Sequence, residues 1–391
     1  MNRQPVLVGA CRTPFGRYRG GLSAIRPDDL LGLTLATLHA QVPQIDLAEV
    51  DDVIMGDSNQ AGEDNRNVAR MGALLAGFPP TVPGLTLNRL CGSGAEAIVQ
   101  GARAIKSGDA DVIFAGGVES MSRAPYVLPK SDVALDPRAK LEQTTVGWRM
   151  VNPAFPKNWT DSLGACAERT ATVRGIGRAA QDAWSLRSHE LAASAADRGL
   201  HSGYLFEVNQ ISVDESIRRD TSLAKLAALP SAFSDDGSVT AGNSSPLNDG
   251  AVAAALMEAR RANEIGLEIL GEIRASVVVA TEPDEFAIAP VYAMRKLLAR
   301  TGLRTKDIDL FEINEAFAAM VLSVLHEMPE IPLSKVNPNG GAIAIGHPVG
   351  ASAARVVIDT CRELRRRGGG LGIATACIGV GLGIAVLVEV K

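Results

Sequence analysis

Two cysteines and a histidine stand at positions where the local sequence favours chemistry. Cys91 is followed by Gly-Ser-Gly and then by apolar residues at helical spacing. Its thiol is therefore expected at the positive end of a helix, where free backbone N–H groups and the dipole favour the thiolate. The glycines would let an acyl group approach. We predict a nucleophile with a lowered pKa, and the alternative is a small buried cysteine on a turn.

His347 lies in the run Gly-His-Pro-Val-Gly, ahead of a second helical pattern. Pro348 fixes the first helical turn and pushes the residue before it towards extended backbone. The imidazole is thereby held at a bend, and no other of the five histidines has such neighbours. This pattern indicates an acid or base, with a satisfied core histidine as the alternative.

Two further candidates follow predicted strands. Cys377 ends an apolar strand and precedes a Gly-x-Gly-x-Gly run, a position where open α/β sheets bind ligands. That run lacks the spacing of a dinucleotide fingerprint and leads into a strand, which excludes nucleotide binding by this motif. Asn314 and Glu315 could hold a water or an oxyanion donor. Alternatively, Asn314 caps the next helix.

The elements that carry these residues alternate between strand and helix. Residues 86–117 indicate a strand end, a tight turn, a helix closed by Gly108 and a second strand. Residues 339–376 repeat the same order. Since this order is typical of parallel sheets, we predict an α/β fold with a duplicated half.

A different character marks the stretch between these units. Residues 119–246 hold all three tryptophans and a concentration of prolines, which indicates an inserted domain with substrate contacts. The expected division is 1–118 with 247–270 as an N-terminal half, 119–246 as the insertion, and 271–391 as a C-terminal half.

Composition excludes several classes of function. Among 391 residues, 46% are hydrophobic and the net charge is −5, so neither disorder nor nucleic-acid binding is expected. No apolar run is long enough to span a membrane. Five cysteines without a CxxC pair favour free thiols in the cytoplasm. No spacing of His, Cys, Asp and Glu predicts a metal site.

Five motifs, taken in order, resemble the thiolase family over essentially the whole chain. They are Asn88–Gly94, Gly116–Ser122, Asn314–Phe317, Gly346–Pro348 and Cys377–Gly379. The resemblance implies two similar α/β halves in a layered αβαβα core with an inserted loop domain. It also implies a homodimer or homotetramer.

The resemblance assigns expected roles to the candidate residues. Cys91 would attack the 3-oxo carbonyl of an acyl-CoA and form an acyl-enzyme, which free CoA then resolves in a ping-pong cycle. His347 would activate the thiol, and Cys377 would exchange a proton with the acetyl-CoA carbon. Asn314 would position a water in one oxyanion hole, while backbone N–H groups of Cys91 and Gly379 would form the other.

Coenzyme A is expected as a co-substrate, with no tightly bound cofactor and no metal. By resemblance Arg218, Arg219 and Ser245 would line its groove. Pro246 stands where the family usually has glycine, and Leu229–Ser231 lacks the usual lysine.

The substrate class depends on a finer resemblance. Asn59–Asn67 and Thr144–Arg149 are similar to 3-oxoadipyl-CoA thiolases of aromatic catabolism, and a family histidine is missing near Asp161–Gly164. A degradative enzyme is therefore expected, with Arg149 against a terminal carboxylate. The alternatives are an acetyl-CoA acetyltransferase working towards condensation, and an acyl-CoA- or lipid-binding protein without catalysis.

Alkylation by iodoacetamide tests the assigned nucleophile. We expect activity to fall in step with modification of Cys91 alone, and acyl-CoA to protect it, because the attacking thiol is the reactive one. Peptide mapping by mass spectrometry measures the modified site. Inactivation that follows a different cysteine would contradict the assignment.

Overall fold

The computed structural model describes residues 3–134 and 136–391. The strands are β1 (Pro5–Arg12), β2 (Gly16–Arg17), β3 (Asp52–Gly56), β4 (Gly84–Leu87), β5 (Val112–Ser120), β6 (Tyr126–Val127), β7 (Glu142–Gln143), β8 (Asn248–Glu258), β9 (Gly271–Ala280), β10 (Leu310–Ile313), β11 (Gly370–Ile378) and β12 (Leu382–Val390). The helices are α1 (Pro27–Gln41), α2 (Val68–Leu75), α3 (Ser93–Ser107), α4 (Leu163–Val173), α5 (Arg178–Asp197), α6 (Leu223–Ala227), α7 (Ala259–Glu264), α8 (Ala289–Thr301), α9 (Ala318–Glu327), α10 (Ala342–Ile345) and α11 (Val349–Arg366).

The main sheet is symmetric about its middle. Its order is β4-β3-β5-β8-β1-β9-β12-β11-β10, with β2 beside β8. Outward from the β1–β9 pair, each side has two antiparallel pairings and then a parallel one. On one side these are β1–β8, β8–β5 and β5–β3. On the other side they are β9–β12, β12–β11 and β11–β10. Strands β1, β8, β5 and β3 thus correspond to β9, β12, β11 and β10. The predicted duplication of an α/β half is confirmed.

Helices cover the sheet in layers. Helices α3 and α11 contact each other between the two halves of the sheet, and their apolar residues share one core cluster. A second cluster joins α1 and α2 to the outer face of the N-terminal half, and a third joins α8 and α9 to the outer face of the other half. The expected αβαβα core is therefore present. No helix in the described ranges is both long and apolar enough to cross a bilayer.

The connection between β5 and β8 is the long excursion that the sequence indicated. It contains the β6–β7 hairpin and helices α4, α5 and α6. A fully buried ion pair ties it to β1, where the Arg12 guanidinium donates to both oxygens of Asp214 at 2.6 and 2.8 Å. Because an unpaired buried charge is costly, this bidentate pair fixes the excursion to the sheet.

The first turn of α11 packs directly on strand backbone. A Cβ on Gly350 would lie 2.4 Å from the Val118 carbonyl oxygen, and a Cβ on Gly117 would lie 2.1 Å from the Gly350 carbonyl oxygen. Helix α3 joins the same contact, since a Cβ on Gly94 would lie 2.9 Å from Gly350 oxygen. Side chains are excluded here. The starts of α3 and α11, which follow Cys91 and His347, are consequently neighbours.

Gly350→Ala tests this close contact. We expect a loss of about 1–3 kcal/mol in the free energy of unfolding, because the added methyl group has no space and the backbone must shift. Urea denaturation measures it. Gly177→Ala is the matched control, since a Cβ there meets nothing within 4 Å. Equal stability of the two variants would show that the junction can relax.

Candidate active site

A strained turn presents Cys91. The preceding residue, Leu90, has a positive φ of 46°, a conformation that costs a non-glycine residue about 1–3 kcal/mol. Local hydrogen bonds hold it: Asn88 Oδ1 accepts from Leu90 N at 2.8 Å, and Ser93 Oγ donates to Leu90 O at 2.6 Å. Helix α3 begins directly afterwards. The turn thus fixes the thiol at the helix start predicted from the sequence.

The predicted lowering of the Cys91 pKa is wrong. Cys91 is only 8% exposed, and burial raises the pKa of its thiol to about 11, although backbone N–H groups of Gly379 and Cys91 itself oppose this. The charge of Glu119 adds a smaller increase. Desolvation of a thiolate therefore outweighs the helix terminus. In the resting site the thiol is neutral and needs a base.

His347 is the candidate for that base. Ser352 Oγ donates to Pro348 O at 2.9 Å, so it accepts a hydrogen bond from His347 Nδ1 at 2.7 Å. This fixes the tautomer and leaves Nε2 with a free lone pair, which has no hydrogen-bond partner in the described chain. Burial, followed by the charge of Arg355, lowers the pKa of His347 to about 4. The imidazole is neutral and directional.

A residue that the sequence did not single out holds this loop. Asn248 Oδ1 accepts from His347 N at 2.9 Å, and its Nδ2 donates to Gly16 O at 2.9 Å and Ser216 Oγ at 3.0 Å. Gly346, directly before His347 in this loop, has a positive φ of 117°, a conformation that favours glycine. The only local signal at Asn248 is a polar residue opening an apolar strand, which does not predict this contact.

Cys377 lies beside the nucleophile. It is 1% exposed at the end of β11, and burial raises its pKa well above the usual range, with the nearby Cys91 as the second cause. The structure therefore brings the two predicted cysteines together. A thiol kept neutral in this way can donate a proton to a developing carbanion.

Asn314 presents an amide without a protein partner. Its side chain is fully buried, and neither Oδ1 nor Nδ2 has a hydrogen-bond partner in the described residues. Its backbone N donates to Thr375 O at 2.9 Å, on the strand that ends near Cys377. Helix α9 begins only at Ala318, so Asn314 is not a helix cap. Buried amides need partners, and this one is free to bind a water or an oxyanion.

Glu315 organises the surroundings of Asn314. Its carboxylate accepts hydrogen bonds from Trp184 Nε1 at 3.0 Å, Ser188 Oγ at 2.6 Å and Asn337 Nδ2 at 3.0 Å. Two of these donors lie on α5 of the insertion, and the third precedes the His347 loop. The sequence analysis considered Glu315 as part of a site for a water or an oxyanion donor, whereas the structure makes it a buried link between the insertion and the Asn314 loop.

Trp148 lies at the Gly379 turn, and Arg149 follows it in the chain. A Cβ on Gly379 would lie 3.2 Å from the Trp148 ring, so this glycine lets the ring approach the Cys91 region. The neighbouring Arg149 is half-buried, and a guanidinium nitrogen lies 3.4 Å from Asn59 Oδ1. Asn59 Nδ2 donates in turn to Thr144 Oγ1 at 3.2 Å. No Asp or Glu pairs with Arg149 among the described residues.

Of the three residues expected at coenzyme A, Ser245 lies near Asn314, and the two arginines lie on the surface. Ser245 lies next to the Asn314 loop, since its N donates to Ala316 O at 2.9 Å. Arg218 is exposed and its backbone N donates to His189 Nδ1 at 3.1 Å. Arg219 pairs with Asp197 at 2.8 Å on the surface. In the described part of the chain, no cluster of three His, Cys, Asp or Glu side chains could hold a metal.

Known proteins are similar to this chain in sequence. The model of the thiolase N-terminal domain matches residues 5–260, and that of the thiolase C-terminal domain matches residues 267–390. A beta-ketoadipyl-CoA thiolase of Pseudomonas knackmussii is 45% identical, with 100% of each chain covered. A 3-oxoadipyl-CoA/3-oxo-5,6-dehydrosuberyl-CoA thiolase of Escherichia coli K12 is also 45% identical, with 99% of each covered.

A solved thiolase structure is similar to this chain in fold as well as in sequence. Human mitochondrial 3-ketoacyl-CoA thiolase in complex with CoA has a TM-score of 0.93 and 36% identity, over 100% of this chain and 98% of that one. The fold and these similarities define an acyltransferase that uses coenzyme A as co-substrate. The chain belongs to the thiolase family.

The pH dependence of stability tests the environment of His347. Its pKa is about 4 in the folded protein and about 6.5 when unfolded, so between these values the unfolded state binds one more proton. Stability therefore falls as pH falls through this window. We expect wild type to lose about 1.5 kcal/mol more than His347→Asn between pH 6.5 and 5, measured by urea denaturation. Parallel curves would contradict a buried, neutral imidazole.

Proposed function

We propose that this thiolase cleaves 3-oxoadipyl-CoA with coenzyme A, giving acetyl-CoA and a four-carbon dicarboxylic acyl-CoA, as a step in aromatic catabolism. The observation that carries the proposal is Arg149, a half-buried cation beside Trp148 that pairs with no Asp or Glu of the described chain. A guanidinium in this setting suits a planar carboxylate. The names of the 45% identical relatives support the same substrate.

The first half-reaction follows from the arrangement of the two thiols and the imidazole. His347 Nε2 takes the Cys91 proton as Sγ attacks the 3-oxo carbonyl, and N–H groups of Cys91 and Gly379 receive the developing oxyanion. The bond between carbons 2 and 3 then breaks. Cys377 gives its proton to carbon 2, which leaves as acetyl-CoA, and the acyl group stays on Cys91. The neutral resting states of all three groups suit this sequence.

The second half-reaction restores the enzyme. Coenzyme A gives its thiol proton to the Cys377 thiolate, and its sulfur attacks the acyl-Cys91 thioester. The Cys91 thiolate then leaves and recovers its proton from His347. In both halves the Asn314 amide would hold a water that stabilises the thioester oxygen, consistent with its lack of a protein partner. Each proton moved in the first half is thereby returned.

Coenzyme A would reach this site along the insertion. Ser245 lies beside the Asn314 loop, and Arg218 and Arg219 lie exposed further out. Positive guanidinium groups at such a place suit the phosphates of the coenzyme. We assign these three residues to the coenzyme groove and residues 119–246 to the loop domain that builds it, between halves formed by 1–118 with 247–270 and by 271–391.

Assembly and compartment complete the proposal. Strand β4 lies at one edge of the main sheet and exposes Leu85, and an unpaired edge of this kind favours pairing with a second copy. A homodimer or a homotetramer is therefore proposed. All five cysteines are free and buried, which supports the cytoplasm as the compartment.

Substitution of Arg149 tests the substrate. We expect Arg149→Ala to lower the ratio of kcat/KM for 3-oxoadipyl-CoA to that for acetoacetyl-CoA about 100-fold, because only the first substrate has a carboxylate to pair. Side-by-side thiolysis assays measure the ratio. Arg138→Ala is the control, since this arginine of the same insertion is 83% exposed. A wild-type preference for acetoacetyl-CoA would refute the substrate, and an unchanged ratio would refute the role of Arg149.

A further inference from the structure

We propose that Glu119 is a positioning residue whose carboxylate connects the first turn of α11, behind His347, to the turn that presents Cys91. Glu119 lies on β5 and is only 3% exposed. It touches neither reacting atom in the proposed mechanism. Its role would be to set the alignment of the nucleophile with its base.

One oxygen of Glu119 accepts three hydrogen bonds. Glu119 Oε2 accepts from Ser58 Oγ at 2.5 Å, Ser58 N at 3.1 Å and Gly350 N at 2.9 Å. The Gly350 donor belongs to the first turn of an 18-residue helix, where a negative charge is favourable. The same turn follows His347 by three residues. The carboxylate therefore fixes the helix end that carries the base.

The chain of contacts continues to the nucleophile. Ser58 O accepts from Asn88 Nδ2 at 2.9 Å, and Asn88 Oδ1 accepts from the N–H of strained Leu90 at 2.8 Å. Leu90 precedes Cys91 directly. Ser58 is half-buried and Asn88 is exposed. Through these two residues alone, hydrogen bonds connect Glu119 on the His347 side to the turn on the Cys91 side.

A second buried carboxylate, that of Asp57, interacts electrostatically with Glu119. Asp57 is fully buried, and its Oδ2 has no hydrogen-bond partner in the described residues. Burial raises the pKa of Asp57 well above its usual range, with Glu119 as the next cause, and burial raises the pKa of Glu119 to about 7. Asp64 also faces this pair and raises both values. Three donors converge on one oxygen of Glu119, so a negative charge is better compensated on Glu119 than on Asp57, whose Oδ1 accepts from Asn59 N at 3.3 Å.

The proposal predicts that a hydrogen-bond acceptor, more than a charge, is required at position 119. Glu119→Gln keeps an amide oxygen that can accept from Ser58 and Gly350, whereas Glu119→Ala keeps none. We expect kcat for thiolysis to fall about 100-fold in Glu119→Ala and less than about tenfold in Glu119→Gln. KM should change less than about threefold in both, since neither contact binds substrate.

Alkylation of Cys91 by iodoacetamide gives a readout without substrate. Both variants remove the charge that raises the Cys91 pKa, so their difference reports alignment alone. We expect Cys91 to react at least tenfold more slowly in Glu119→Ala than in Glu119→Gln. This inference rests on the proposed roles of Cys91 and His347. Because alkylation needs no acyl-CoA, an error in the proposed substrate would leave its result unchanged.

A matched control and a milder variant complete the test. Glu363→Gln removes a carboxylate near the far end of the same helix, where Glu363 binds Arg366, Arg367 and Asn339. It should lower stability in urea and leave kcat and alkylation unchanged. Should Glu119→Ala fail to fold, Ser58→Ala is expected to lower kcat about tenfold at constant KM. Equal kcat in the Ala and Gln variants, a change in KM alone, or full activity of Ser58→Ala would overturn the proposal.

Discussion

Close contact between backbones at the start of α11 is the constraint on which the site depends. Gly350 meets the carbonyls of β3 and β5, and Gly94 of α3 meets Gly350 in turn. No side chain fits between these segments, so their spacing is set by van der Waals contact and varies little. Two helices from different halves of the molecule thereby begin at one place. The residues just ahead of them, Cys91 and His347, belong to loops that the same contact holds.

Burial then decides the chemistry of those loops. A neutral thiol and a neutral imidazole are both favoured where water is excluded, since desolvation raises the pKa of Cys91 and lowers that of His347. Such a pair carries no resting charge, and charge separates only as the carbonyl is attacked. In the proposed mechanism, the Gly379 N–H and the unpartnered Asn314 amide are the donors available at that moment. Preorganised donors of this kind stabilise a transition state without reorganising.

In the proposed function the insertion contributes the substrate side of the site, and buried polar contacts anchor it to the rest of the chain. Arg12 of β1 forms an ion pair with Asp214 of the insertion. Glu315 accepts hydrogen bonds from Trp184 and Ser188 of α5. Apolar packing tolerates small displacements, whereas bidentate and multiply bonded carboxylates have defined directions. This suits a segment whose Trp148 must contact the Gly379 turn. The acyl chain specificity proposed for Arg149 depends on that placement.

The sequence by itself determined the α/β class, the duplicated half and the positions of Cys91, His347, Cys377 and Asn314, because helical spacing, glycine turns and strand ends are local signals. Local signals also identified the strand and helix units around both halves. The sign of the Cys91 pKa shift, the contacts of Asn248 and the links through Glu315 and Glu119 were decided only by the tertiary structure. Desolvation depends on atoms brought together from distant parts of the chain. Hydrogen bonds such as Glu119 to Gly350 span 231 residues, and no local pattern encodes them.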